Sequence, residues 1–234
     1  SAFSLPFYVI VEKILEENET LPETWPVYGT TGYEYGAALA GIFVDRRNEK
    51  RILSTFRRFT GTGDTFTDVV YRSKNHLMKT SMSAEVSAIA RGLDRISEGS
   101  RQYRDFTRNS QREAIREVIA CFPVYRTYID AYADSIGSGD KAIVKAAIAE
   151  AKRRNPAVGA SIFDFIEKTL LLKYPPDMNE EGRNEQRLFV MKFQQFSGQV
   201  MAKGLEDTAC YIYNPLVSLN EVGDFPPRFG TSVD

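Results

Sequence analysis

Two acidic residues with apolar or glycine-containing surroundings carry the chemistry this chain could perform. Glu12 sits in a strand-like run, Pro6-Phe7-Tyr8-Val9-Ile10-Val11-Glu12-Lys13-Ile14-Leu15. Asp207 lies near the other end of the sequence, in Met201-Ala202-Lys203-Gly204-Leu205-Glu206-Asp207-Thr208. Glycosidic-bond chemistry uses a pair of carboxyl groups facing one sugar, and a β/α barrel gathers distant strand ends at one face. Taken singly, each acid has a plainer explanation. Glu12 fits a surface glutamate at a strand exit, salt-bridged to a neighbour. Asp207 or Thr208 fits a helix cap, although a glycine beside two acids and a lysine also suits a pocket where backbone approaches a ligand.

Other constellations point to packing rather than chemistry. Gly29-Thr30-Thr31-Gly32-Tyr33 has the look of a phosphate cradle but neither the spacing nor the lysine of a Walker loop. Gly61-Thr62-Gly63-Asp64-Thr65 and Gly137-Ser138-Gly139-Asp140 read as helix starts. The single histidine, His76, and the cysteines Cys121 and Cys210 form no cluster with metal-ligand spacing, so neither a metal nor another cofactor is expected. Both cysteines read as buried thiols in a reducing compartment, which implies a cytoplasmic location. A net charge of −1 gives no global field to draw in nucleic acid or an anionic membrane. No apolar run approaches the ~20 residues needed to cross a bilayer, and Ser1-Ala2-Phe3-Ser4-Leu5 does not read as a signal peptide. The abrupt start in a strand and the irregular end, Gly223 to Gly230, suggest a piece excised from a larger protein.

The elements that must position these acids are mostly helices. Residues 7–15 read as a strand buried on both faces, and Val27 to Tyr33 as a short strand running into a glycine turn. Helices are expected over Tyr35–Phe43, Asn48–Phe59, Thr65–Ser97, Arg101–Ala120 and Lys141–Arg154, then from Pro156 to Leu172 and from Glu185 to Ser197. Pro123 breaks the helical pattern at Phe122–Tyr128. Gln199–Lys203 reads as a further strand, and Ala209–Tyr213 as either a strand or a helical turn. The fold class expected is mostly α with a few strands: part of a β/α (TIM) barrel carrying a large helical insertion.

Several segments occurring in order resemble one family. Val11-Glu12-Lys13-Ile14-Leu15, Gly29-Thr30-Thr31-Gly32-Tyr33, Phe122-Pro123-Val124-Tyr125-Arg126-Thr127-Tyr128 and Val200 to Thr208 are similar to maltooligosyl trehalose synthase, of the α-amylase superfamily. Tyr211-Ile212-Tyr213-Asn214 and Leu219-Asn220-Glu221-Val222-Gly223 continue the pattern. The resemblance implies an intramolecular transglucosylase that turns the reducing-end α-1,4 linkage of a maltooligosaccharide into an α,α-1,1 linkage, by a retaining mechanism. It places Glu12 as acid/base after the fifth barrel strand and Asp207 as the stabilising aspartate after the seventh. Lys13, Arg126, Lys203 and Glu206 would contact substrate, and Tyr33, Tyr125 and Tyr128 would wall in the leaving glucose. It also divides the chain into barrel parts at 1–45 (fifth and sixth strands) and 184–234 (seventh strand and its loop), with an inserted helical subdomain at 46–183.

The family's nucleophile belongs to an Arg-x-Asp motif on the fourth strand, and no such motif precedes Glu12. The isolated chain is therefore expected to be inactive, and its exposed strand edges to invite association. Other readings stay open: a helical interaction module without catalysis, or an α-glucan hydrolase of the same superfamily. Common amylases carry an Asn-His-Asp motif where this chain has Lys-Gly-Leu-Glu-Asp-Thr.

Overall fold

The computed structural model describes residues 7–17, 19–133 and 135–232; Ser1 to Leu5, read as no signal peptide, and Pro6 fall outside them. Helix accounts for 59% of the chain and strand for 2%. Two compact units are present, one running to Val69 and resuming at Glu206, the other spanning Val70 to Leu205.

In the first unit, β1 (Ile10–Val11) pairs in parallel with β2 (Gly29–Thr30), Ile10 opposite Gly29 and Val11 opposite Thr30. The run around β1 is more exposed than a strand buried on both faces, with Phe7 and Tyr8 at the surface. Helix α1 (Tyr33–Ile42) follows directly, started by Gly32 in the left-handed region at φ 96°. Helix α2 (Glu49–Thr60) buries none of its residues and stops at Gly61, again left-handed at φ 69°, as expected of a C-terminal glycine stop. Helix α3 (Phe66–Lys79) begins here and continues into the second unit. The packed centre of the first unit is aromatic: the Phe66 ring lies 5.5 Å from Tyr213 and 6.0 Å from Phe225, and Phe56 lies 5.5 Å from Tyr213.

The second unit is a helical bundle built around α5 (Arg108–Ala120), which packs against α4 (Ser83–Glu98), α6 (Ser138–Arg154), α7 (Ala160–Leu170) and α8 (Glu180–Met201). Its core is one contiguous apolar cluster that includes Leu93, Ile115, Ile148, Phe163, Ile166 and Phe193. The sequence expects one helix across 65–97; the chain instead turns at Thr80–Met82 between α3 and α4. Thr80 explains part of this, because its hydroxyl donates to the His76 carbonyl at 2.8 Å and such local bonds compete with helix continuation. The next helix begins at Arg108 rather than Arg101, because Thr107 caps it: its Oγ1 accepts from the Ser110 N–H at 3.2 Å. At α8, the Asn179 side chain accepts from the Gly182 N–H, which moves the start ahead of the expected Glu185.

One expected strand is absent. Residues 199–203 continue α8 to Met201 and then enter a π-helix, Ala202–Ala209, which leads into the short helix α9 (Cys210–Ile212). The apolar residues here belong to the buried stripe of a helix, with Phe193, Phe196, Val200 and Met201 all buried. Among the described residues, no helix is long and apolar enough to cross a membrane.

Phe193 is 1% exposed in the bundle core. Phe193→Ala should lower stability by about 3–5 kcal/mol, measured by denaturant unfolding of the chain. A loss below about 1 kcal/mol would mean this face of α8 is not core.

Candidate functional site

Glu12 follows β1 directly, and Tyr33 opens α1 just after β2, so the parallel pairing of the two strands sets the distance between them. The Tyr33 hydroxyl donates to Glu12 Oε1 at 2.9 Å. That bond, together with the nearby charge of Glu12, holds the phenol above its ordinary pKa, and Glu206 adds a smaller push in the same direction. Glu12 and Tyr33 line a cleft of about 530 Å³ with Thr31, Gly36, Glu221 and Asp224. Burial raises the Asp224 carboxyl above its usual range.

Glu206 and Asp207 line a second cleft, of about 230 Å³, with Cys210, Tyr211, Asn214 and Asn220. Glu221 and Val222 belong to the walls of both clefts. The first unit thus brings Glu12, Tyr33, Glu206 and Asp207 to a pair of clefts with one common partition. Asp207 reaches it from the π-helix rather than from the end of a strand. Wide helical turns of this kind recur at functional sites. Near its start, Gly204 lies so close to Lys74 that a Cβ would stand 2.6 Å from the lysine Cγ, so only glycine fits that turn.

Lys13 is buried, its ammonium donating to Glu19 Oε1 at 2.6 Å and to the Ile14 carbonyl at 2.9 Å. Tyr125, Arg126 and Tyr128 belong to the helical unit, on a segment laid along α8. Gln194 holds that segment like a strand partner, accepting from the Ile129 N–H at 2.6 Å and donating to its carbonyl at 3.1 Å. Ser197 donates to the Tyr125 carbonyl at 3.0 Å, and the Arg126 guanidinium lies 4.8 Å from the Tyr128 ring centre. Lys203 is exposed near the end of the same unit.

Sequence reasoning assigned no role to Asn220, Glu221 or Asp224. The signal was present: acids and an asparagine bracket Gly223 in Asn-Glu-Val-Gly-Asp, the composition of a fixed turn. Among the described residues, no group of His, Cys, Asp and Glu could hold a metal ion. Both cysteines are free thiols, and burial pushes Cys121 up to about 12 and Cys210 up to about 11.

With this geometry in place, the relatives of the chain become informative. It is 26% identical over 229 residues to a Mycobacterium tuberculosis protein with a provisional assignment as a maltooligosyl trehalose synthase, covering 95% of this chain. Its fold matches the maltooligosyltrehalose synthase structure from Arthrobacter ramosus with a TM-score of 0.76, at 27% identity over 95% of the chain. The structure of a hypothetical maltooligosyl trehalose synthase from Sulfolobus tokodaii matches with a TM-score of 0.65, at 25% identity. No protein-family model matches the chain. The chain spans 25% of the length of the curated relative and 25% of each of these two structures. It is accordingly related to the maltooligosyl trehalose synthases over about a quarter of their length, as the ordered motifs implied.

Glu12→Ala removes both the acceptor and the charge that raise the Tyr33 phenol. The Tyr33 pKa should then fall towards the ordinary tyrosine value of about 10, followed by NMR of the tyrosine ring carbons against pH. An unchanged Tyr33 titration would mean that the Glu12–Tyr33 bond does not form in solution.

Proposed function

We propose that this chain supplies the acid/base portion of a maltooligosyl trehalose synthase. The intact enzyme would isomerise the reducing-end α-1,4 linkage of a maltooligosaccharide to an α,α-1,1 linkage, a step in making trehalose. The observation carrying this reading is the common partition: Glu12 and Asp207 line neighbouring clefts of one compact unit and share Glu221 and Val222. Similarity to synthases along 95% of the chain supports the choice of reaction. The β1–β2 pair would be the fifth and sixth strands of a barrel, and the helical unit an insertion into it.

Glu12 would protonate the leaving glycosidic oxygen and then deprotonate the reoriented glucose hydroxyl. The hydrogen bond from Tyr33 engages Oε1 and would leave Oε2 to face the sugar. Asp207 and Glu206 would accept hydrogen bonds from sugar hydroxyls in the adjoining cleft. A role for Asp207 as transition-state stabiliser was tied to a strand end; on the π-helix its support is the cleft alone. Lys203 and the Arg126–Tyr128 segment remain candidate substrate contacts, and Tyr33 and Tyr125 candidate walls that exclude water. Free thiols suit a cytoplasmic setting.

A retaining mechanism needs a nucleophile about 5–5.5 Å from the acid/base. No Arg-x-Asp motif precedes Glu12, so the 234-residue chain alone should not turn over substrate. In a protein extended to include such a strand, maltopentaose should give a non-reducing product at constant total glucose. Glu12→Gln should slow that reaction by roughly 10²–10⁴-fold. Release of free glucose or maltose would instead indicate a hydrolase. No conversion of maltopentaose by the extended protein would leave a helical binding module.

A further inference from the structure

The partition between the two clefts is held in place from several sides. Asn220, immediately before it, donates from Nδ2 to the Cys210 carbonyl at 2.9 Å and the Tyr213 carbonyl at 2.7 Å. These carbonyls belong to α9 and its C-terminal cap, which continue the Asp207-bearing π-helix, so the loop is tied to that element. Glu221 and Asp224 then close a tight turn: the Glu221 N–H donates to Asp224 Oδ2 at 3.1 Å, and the Asp224 N–H to the Glu221 carbonyl at 2.9 Å. Gly223, at φ 89°, lies against Tyr33, where an added Cβ would stand 2.8 Å from the Tyr33 Cβ. Tyr33 in turn donates to Glu12. A continuous path of contacts thus runs from the Asp207 element through Asn220, Glu221 and Gly223 to Tyr33 and Glu12.

Glu221 stands at the middle of this path. Its backbone makes the turn, its side chain is exposed, and it faces both clefts. We infer that the Glu221 carboxylate is a binding residue for the glucan, accepting hydrogen bonds from hydroxyls of a sugar that lies across the partition between Glu12 and Asp207. A neutral sugar donates hydrogen bonds only through its hydroxyls, and an ionised carboxylate is a strong acceptor for them. The turn fixes the Glu221 backbone, so the carboxylate projects from a set point of the partition. The inference rests on the reading of the clefts as a glucan site.

Because the turn uses only backbone atoms of Glu221, Glu221→Gln leaves it intact and changes the side chain alone. Titration calorimetry of maltopentaose with the 234-residue chain tests the inference, with Glu98→Gln, an exposed glutamate on α4, as control. Glu221→Gln should weaken binding roughly tenfold or more, with Glu98→Gln equal to wild type and the amide NMR spectrum of the variant native. Wild-type binding that Glu221→Gln matches within about twofold would overturn the role of Glu221 and leave the glucan site standing. Absence of maltopentaose binding by the wild-type chain would overturn both.

Discussion

The carboxamide of Asn220 fixes the relation on which the candidate site depends. It bonds two carbonyls of α9 and its C-terminal cap, which continue the π-helix, and so determines where the partition formed by Glu221 and Val222 stands relative to Asp207. Its own Oδ1 is buried and has no hydrogen-bond partner, an expense of folding that the paired amide hydrogens offset. Without that tie, the π-helix bearing Glu206 and Asp207, continued by α9, would lose its side-chain hydrogen bonds to the Glu221 loop. With it, the unit places both acids around one partition, and Tyr33 links the partition to Glu12 through Gly223.

Residue types and their order made much of this legible. The helices near their expected positions have strong local signals, such as the Ser138-Gly139-Asp140 start of α6 and its basic last turn, Lys152 to Arg154. Glu12 and Tyr33 come from separate motifs, and the chain brings them to 2.9 Å through a parallel pairing only two residues long on each side. Glu206 and Asp207, adjacent in the Lys-Gly-Leu-Glu-Asp-Thr motif, line a cleft together.

What could not be read has definite causes. The stretch from Gln199 to Lys203 carries apolar residues that suit either a buried strand or the buried side of a helix, and short apolar runs do not distinguish the two. Packing of Phe196, Val200 and Met201 into a helical core decides it. Within the π-helix, Gly204 packs closely on Lys74, a tertiary contact between residues far apart in sequence. The resemblance implies Lys13 as a substrate contact, and no spacing rule foretells that its ammonium is held by Glu19 and the Ile14 carbonyl. Glu221 and Asp224 owe their place to the turn they close with each other; the Asn-Glu-Val-Gly-Asp composition marks a turn, but not that it walls two clefts.

The central physical claim is that the Glu12 cleft and the Asp207 cleft act as one sugar site. Amide NMR of the isotope-labelled chain titrated with maltopentaose examines it directly. One site requires resonances of Tyr33 and Gly36 in the first cleft, and of Asp207 and Asn220 in the second, to shift together along a single binding curve. Shifts confined to one cleft, or two sets of residues with different affinities, would contradict it.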